Sequence, residues 1–345
     1  MRKNVLQWYL TDKKSTLLKI KLILWSVDIM TNKVTIIGAG SVGATIAYTL
    51  VANGPVSEIV LIDINQDKAN AEAIDIFQAT PFLSSSKVYA GTYEDAAGSD
   101  IVIITSGVGR KPGQSRIDLT QINVNILKSI AKDVVKAAPD AIYLLVANPV
   151  DILTYVFCKI TGVPKNRVIG SGTSLDTIRL RSRLSEIYGV NQKQVHAYVL
   201  GEHGDSSFVA WSAADISGVP LNEYEAAVTD KSALTIEEYT HEEVEEYVKK
   251  SGGKIIAGKG ATFYGIAASV CHIVKNIYSG ADTVATVSTM MEGEYGVSDV
   301  CLSTLCVVGR EGIKTTLTPK LTDEEVAKFQ NSANVLKDVI AQIEI

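Results

Sequence analysis

Lys33-Val-Thr-Ile-Ile-Gly-Ala-Gly-Ser-Val-Gly43 is a short apolar run that breaks into three spaced glycines, and Asp63 follows twenty residues later. Val34 to Ile37 read as a buried strand, Gly38, Gly40 and Gly43 as a tight turn, and Ala44 to Ala52 as a helix. Such a turn lets the backbone approach a pyrophosphate, while the helix N-terminus offers free N–H groups and a favourable dipole. A second strand, Glu58 to Asp63, ends on a carboxylate where a ribose hydroxyl needs an acceptor. Asp63 would repel a 2′-phosphate, so the expected cofactor is NAD and not NADP.

Outward from this turn, strand-like and helix-like segments alternate to about Gly170. Strands are expected at Ile59–Ile62, Val88–Tyr89, Ile101–Thr105, Tyr143–Val146 and Val168–Ile169. Helices are expected at Gln66–Ala79, Leu119–Ala138 and Val150–Ile160. The fold class is therefore α/β: a doubly wound parallel sheet of the Rossmann type, with ligands bound beyond the carboxyl ends of its strands. After Gly170 the pattern becomes mixed: a helix at Leu175–Tyr188, strands at Val195–Leu200 and Phe208–Ala213, helices at Ile236–Lys250 and Thr262–Ile277, strands at Ala285–Met290 and Val300–Val308, and a last helix at Thr322–Ile343. The expected organisation is a cofactor domain over residues 30–170 and a mixed α/β substrate domain over residues 171–345.

Residues 1–29 do not share this pattern. Lys19 and Lys21 interrupt the apolar stretch Leu17–Trp25, which is too short to span a bilayer and lacks the form of a signal peptide. An amphipathic surface anchor is one reading. The preferred one is a non-native or disordered extension, because Met30 stands just before the first strand.

Composition narrows the function classes. A chain of 345 residues with 46% hydrophobic and 21% charged residues is an ordinary globular chain, and a net charge of −5 supplies no basic face for nucleic acid. Cys158, Cys271, Cys301 and Cys306 have no metal-ligand spacing and read as small core residues in a reducing, cytoplasmic compartment. Only His196, His203, His241 and His272 are available as imidazole ligands, so no metal site is expected. The acidic run from Glu237 to Glu246 spreads its carboxylates around a helix and reads as a solvated face.

Four segments carry chemistry once a dinucleotide is granted. Gly201-Glu-His203-Gly-Asp205 exposes an imidazole on a turn, suited to exchanging a proton with a substrate oxygen. Ser174-Leu-Asp176-Thr-Ile-Arg179 places a carboxylate and a guanidinium on one helical face; one can orient the histidine and the other can grip a substrate carboxylate. Gly107-Val-Gly-Arg110-Lys-Pro-Gly-Gln-Ser-Arg116 is a glycine-rich basic loop, the makeup of a lid that brings cations over an anion. In Asn148-Pro-Val-Asp151, Asn148 follows a strand end and can hydrogen-bond the substrate.

Together, GAGSVG, RKPGQSR, NPVD, GSGTSLDTIR and GEHGDSSF resemble the L-lactate/L-malate dehydrogenase family, in order from about Lys33 to the C-terminal helix. The resemblance implies a Rossmann domain, a substrate domain, a closing loop and a homotetramer. By position, His203 is similar to the family's acid/base, Asp176 to the carboxylate that holds it, and Arg179 to the clamp on the substrate carboxylate. Arg116 is similar to the lid arginine that polarises the reacting carbonyl; Asn148 would touch the same oxygen and Thr262 would line the pocket. For NAD, the resemblance implies Val42, Asp63, Lys68, Tyr93, Gly107, Val108, Val146 and Asn148 beside the three glycines.

Within the family, the lid position held here by Arg110 separates substrates: an arginine suits the second carboxylate of oxaloacetate, as in malate enzymes. Facing the methyl of pyruvate it would be a cation without a partner. GEHGDSSF, GSGTSLDTIR, KGATFYGIA and Thr262 instead resemble the lactate branch, so the expectation is pyruvate reduction to L-lactate, with the malate reaction as the alternative. Arg181 and His196 match positions that bind fructose 1,6-bisphosphate between subunits in bacterial members, which makes that effector an expected partner beside the small-molecule substrate. A reading of another class, a non-catalytic NAD-binding redox sensor or scaffold, would have been free to lose the proton donor or the clamp. His203, Asp176, Arg179 and Arg116 are all present.

Overall fold

The structure is a computed structural model that describes residues 32–109, 113–230 and 236–345. The expected N-terminal extension and Arg110 lie outside the described residues.

The sequence alternation becomes β1 (Lys33–Ile37), α1 (Ser41–Asn53), β2 (Glu58–Ile62), α2 (Gln66–Leu83), β3 (Lys87–Ala90), β4 (Ile101–Ile104), α3 (Arg116–Ala137), β5 (Ile142–Leu145), α4 (Val150–Thr161) and β6 (Val168–Gly170). These six strands pair in parallel in the order β3-β2-β1-β4-β5-β6, reversing direction of growth between β1 and β4. Strands β4 and β5 are buried along their whole length, and β1 and β2 at all but their first residue. That is why they read as Val/Ile/Leu-rich runs, interrupted only by the buried Thr35 and Tyr143: helices cover both faces of a parallel sheet. The switch point between β1 and β4 places a crevice at the carboxyl ends of the strands, where Gly38 and Thr105 emerge side by side.

The second half adds α5 (Ser174–Tyr188), β7 (Val195–His196), β8 (Val199–Leu200), β9 (Phe208–Val209), β10 (Asp215–Ile216), β11 (Val219–Pro220), α6 (Leu221–Ala227), α7 (His241–Lys259), α8 (Tyr264–Ser279), β12 (Thr283–Glu292), β13 (Ser298–Gly309), β14 (Gly312–Leu317) and α9 (Asp323–Ile340). The long antiparallel ribbon β12-β13-β14 joins the parallel sheet at β6 through the single pair Ser288–Gly170, giving one nine-stranded sheet. A side chain at Gly170 would stand 2.8 Å from the Ser288 Cβ, so the junction requires a glycine.

Three elements differ from the sequence reading. The strand expected at Phe208–Ala213 stops at Val209, because Trp211–Ala213 turns into a short 3-10 helix. The strand expected at Val195–Leu200 is two short strands, β7 pairing with β10 and β8 with β9. The helix expected at Ile236–Lys250 begins at His241 and runs to Lys259. Its start is fixed by a capping box: Thr240 Oγ1 accepts the Glu243 N–H at 3.2 Å while the Glu243 carboxylate accepts the Thr240 N–H at 2.8 Å. Glu237 and Glu238 therefore precede the helix, and Glu237 pairs with Arg183 at 2.8 Å. Among the described residues no helix is long and apolar enough to cross a membrane, and no cluster of three or more His, Cys, Asp or Glu side chains could hold a metal ion.

Candidate active site

The glycine turn is sterically specified. Gly38 has φ +106°, and a Cβ on Gly43 would fall 1.8 Å from the Gly38 carbonyl oxygen. Gly40 caps the N-terminus of α1, and a Cβ there would meet nothing within 4 Å, so its outer side is open. The first turn of α1 carries no acidic residue to oppose an anion at that end. Asp63 ties β2 to this turn: Oδ2 accepts the Ala39 N–H at 2.7 Å and Oδ1 accepts the Asn65 N–H at 2.9 Å. These features fit a dinucleotide: an uncluttered helix N-terminus for phosphates, and a carboxylate held at the edge of the turn. Lys68 stands in the first turn of α2, where its N–H caps onto Asn65 at 3.0 Å, and Tyr93 opens the short helical turn after β3. Both belong to the β2–β3 side of the crevice.

Further along, Gly107 and Val108 leave β4 and are bound by a residue the sequence reading passed over. Asn123, buried in α3, accepts the Val108 N–H at 2.9 Å and donates to the carbonyls of Val108 at 3.1 Å and Asn148 at 2.7 Å. It thereby locks the loop after β4 to the loop after β5.

A cavity of about 300 Å³ gathers Val42, Val146, Asn148, Asp176, Arg179, His203 and Thr262 from five separate stretches of chain. Lys249, Gly252 and Gly253 of α7 also line it, none of them singled out from sequence. His203 Nδ1 meets Asp176 Oδ2 at 2.6 Å, and Arg179 Nη1 donates to Asp176 Oδ1 at 2.9 Å. The bond at Nδ1 leaves Nε2 as the nitrogen for a substrate. Burial alone would lower the imidazole's affinity for a proton, but Asp176 and then Asp151 raise its pKa above the ordinary histidine value. Burial likewise opposes ionisation of Asp176, yet His203 and Arg179 hold its pKa below the usual carboxylate value.

The turn that presents His203 is pinned from below. The His203 N–H donates to Asp151 Oδ2 at 2.7 Å, and Ser288 Oγ donates to Asp151 Oδ1 at 2.6 Å. Burial pushes the Asp151 carboxyl up to about 6. Asp151 closes the Asn-Pro-Val-Asp segment, yet its partner lies 52 residues away. Arg116, the first residue of α3, pairs with the buried carboxylate of Glu202.

Away from this cavity, Arg181 Nε donates to the Ala197 carbonyl at 3.1 Å and His196 Nδ1 lies 3.2 Å from Asp215 Oδ1. Arg181 and His196 thus flank the same short stretch at β7, with Asp215 as a counter-charge.

Fold and site together define an NAD-binding oxidoreductase with a histidine–aspartate pair on the wall of one cavity. Its residues 32–170 match the model of the lactate/malate dehydrogenase NAD-binding domain, and residues 173–344 match that of the lactate/malate dehydrogenase alpha/beta C-terminal domain. The chain belongs to the lactate/malate dehydrogenase family. It is 47% identical over 313 residues to an L-lactate dehydrogenase of Acetivibrio thermocellus, covering 91% of this chain and 98% of that protein. It is 46% identical over 314 residues to an L-lactate dehydrogenase of Thermoanaerobacter sp., covering 91% of this chain and all (100%) of that one. The crystal structure of a minor L-lactate dehydrogenase from Enterococcus mundtii in ligand-bound form superposes with a TM-score of 0.85 at 37% identity, covering 92% of this chain and 100% of that chain.

Proposed function

We propose that this protein interconverts pyruvate and L-lactate, as an NAD-dependent L-lactate dehydrogenase in the cytoplasm. The observation that carries the reading is the His203–Asp176–Arg179 chain of contacts on the wall of one cavity. Bound NAD supplies or accepts the hydride at the substrate's second carbon.

The chain's own residues do the rest. Arg179 receives the substrate carboxylate, its guanidinium pre-aimed by Asp176 so that little side-chain freedom is lost on binding. His203, protonated and held by Asp176, gives its Nε2 proton to the carbonyl oxygen during reduction and takes it back during oxidation. Asn148 and Arg116 meet the same oxygen and oppose the negative charge that develops there. Thr262 lines the pocket, and Gly38, Gly40, Val42, Gly43, Asp63, Lys68, Tyr93, Gly107, Val108 and Val146 hold the cofactor. The catalytic set of His203, Asp176, Arg179 and Arg116 weighs against a non-catalytic sensor.

The test is kcat/KM for pyruvate and for oxaloacetate with NADH, each with and without fructose 1,6-bisphosphate. Pyruvate is expected to be the better substrate by at least about tenfold, the size of one unpaired charged contact. A preference for oxaloacetate would replace this reading with the malate one that Arg110 suggests. Stimulation by the bisphosphate is expected if Arg181 and His196 form its site; that Arg181 bonds the carbonyl of Ala197, the residue next to His196, supports that reading.

A further inference from the structure

Glu202 is the residue immediately before His203, and the proposed reaction gives it no role. Its side chain is only 2% exposed, so the carboxylate is cut off from water. One oxygen, Oε2, accepts the Ser206 hydroxyl, and the Ser206 N–H at 3.3 Å. The backbone is fixed as well: the Glu202 N–H donates to Ser332 Oγ of α9 at 2.8 Å, and Ser332 Oγ donates to the Ser206 carbonyl at 3.0 Å. The remaining oxygen, Oε1, takes a terminal nitrogen of Arg116, 86 residues away. That is the only ion pair of Glu202 among the described residues.

We propose that Glu202 is a positioning residue that registers Arg116 with the proton donor. The geometry has two parts. A buried carboxylate needs a cation to offset its desolvation, so the pair holds together while Arg116 stays 43% exposed along its length. A guanidinium has five N–H donors, and one nitrogen anchored on Oε1 leaves the others to reach a substrate oxygen. Because Glu202 and His203 are consecutive, one turn sets the arginine on one side and the imidazole on the other. The same turn is held through Asp151 under His203 and through Ser332 under Glu202. Arg116 would otherwise be a long side chain at a helix start, free to sample many rotamers.

This inference rests on the reading that Arg116 meets the reacting oxygen, and the experiment separates the two. Glu202→Gln, Arg116→Gln and the double variant are compared with the unaltered protein by steady-state kinetics with pyruvate and NADH, NADH binding by fluorescence, and thermal melting. Expected is a kcat lower by about 10- to 100-fold in Glu202→Gln, the scale of a misplaced catalytic group, with NADH affinity and the pH midpoint of the reaction unchanged. The double variant is expected to be no slower than Arg116→Gln alone, since the two residues act as one unit. A purely structural Glu202 would instead lower the melting temperature and multiply with the arginine loss. Penalties that multiply, or a wild-type kcat in Glu202→Gln beside a slow Arg116→Gln, would overturn the positioning role alone. An Arg116→Gln variant with full kcat would overturn the arginine reading and this inference with it. Should Glu202→Gln not fold, Glu202→Asp keeps the charge and shortens the reach by one methylene; the same loss of kcat is expected, and an unchanged kcat overturns the proposal.

Discussion

At the scale of single residues, the site is governed by how burial and charge divide between His203 and Asp176. The bond of 2.6 Å between them favours the charged imidazolium, so the histidine keeps its proton to a pH above its ordinary value. The consequence has a definite sign. Pyruvate reduction needs protonated His203 and is expected to fall as pH rises through that raised pKa; lactate oxidation needs the neutral ring and is expected to rise over the same range. Asp176→Asn removes the main group that raises the histidine's pKa. It is expected to move both midpoints to lower pH and to reduce kcat by about 100-fold or more, the scale of general acid–base catalysis. pH profiles of kcat/KM in both directions, measured on the two proteins, check this. Unmoved midpoints in the variant would mean that Asp176 does not set the protonation of His203.

Helix α7 argues its case at the scale of an element. Gly252 and Gly253 sit in the interior of a 19-residue helix, where each costs about 1 kcal/mol relative to alanine. Both face the substrate cavity, and a Cβ on Gly252 would lie 3.6 Å from the Arg179 guanidinium, while one on Gly253 would meet nothing within 4 Å. Space is kept beside Arg179, the proposed carboxylate clamp, at the expense of helix stability. The double variant Gly252→Ala/Gly253→Ala is expected to melt at higher temperature, with a gain of up to about 2 kcal/mol. It is also expected to raise KM more for 2-oxo acids with longer side chains than for pyruvate. Thermal melts and kcat/KM across a series of 2-oxo acids measure both effects; an unchanged order of substrates would show that these glycines do not shape the pocket. The same helix shows what local sequence conveys. Its charged character is legible, but the sequence reading starts it too early, at Ile236: the Thr240-His-Glu-Glu243 capping box, itself a local signal, marks the true start, and the acidic run from Glu237 obscures it.

For the whole molecule, α2 presents Ile74, Phe77 and Phe82 to solvent, the last 91% exposed. Apolar side chains exposed together on one helix are candidates for burial in a subunit interface. The homotetramer that the family resemblance implies would have such a face to cover. Light scattering on the purified protein is expected to give about four times the chain mass of 37.0 kDa. Phe82→Glu is expected to shift the population to smaller species; a monomeric mass for the unaltered protein would refute the tetramer.

The sequence by itself determined the parallel sheet and the glycine turn with Asp63, and it singled out His203, Asp176 and Arg179 as candidates. Each of these is written in a short window, through strand and helix periodicity, a fixed glycine spacing, or an i,i+3 pair on one helical face. Only the tertiary structure decided how the halves join at Gly170–Ser288, that Asn123 locks two loops, and that Asp151 and Glu202 hold the catalytic turn and Arg116. Those contacts span 15 to 137 residues of chain. A buried asparagine or carboxylate finds such a partner because it must satisfy its hydrogen bonds once water is excluded, and nothing in its sequence neighbourhood says which distant group will do so.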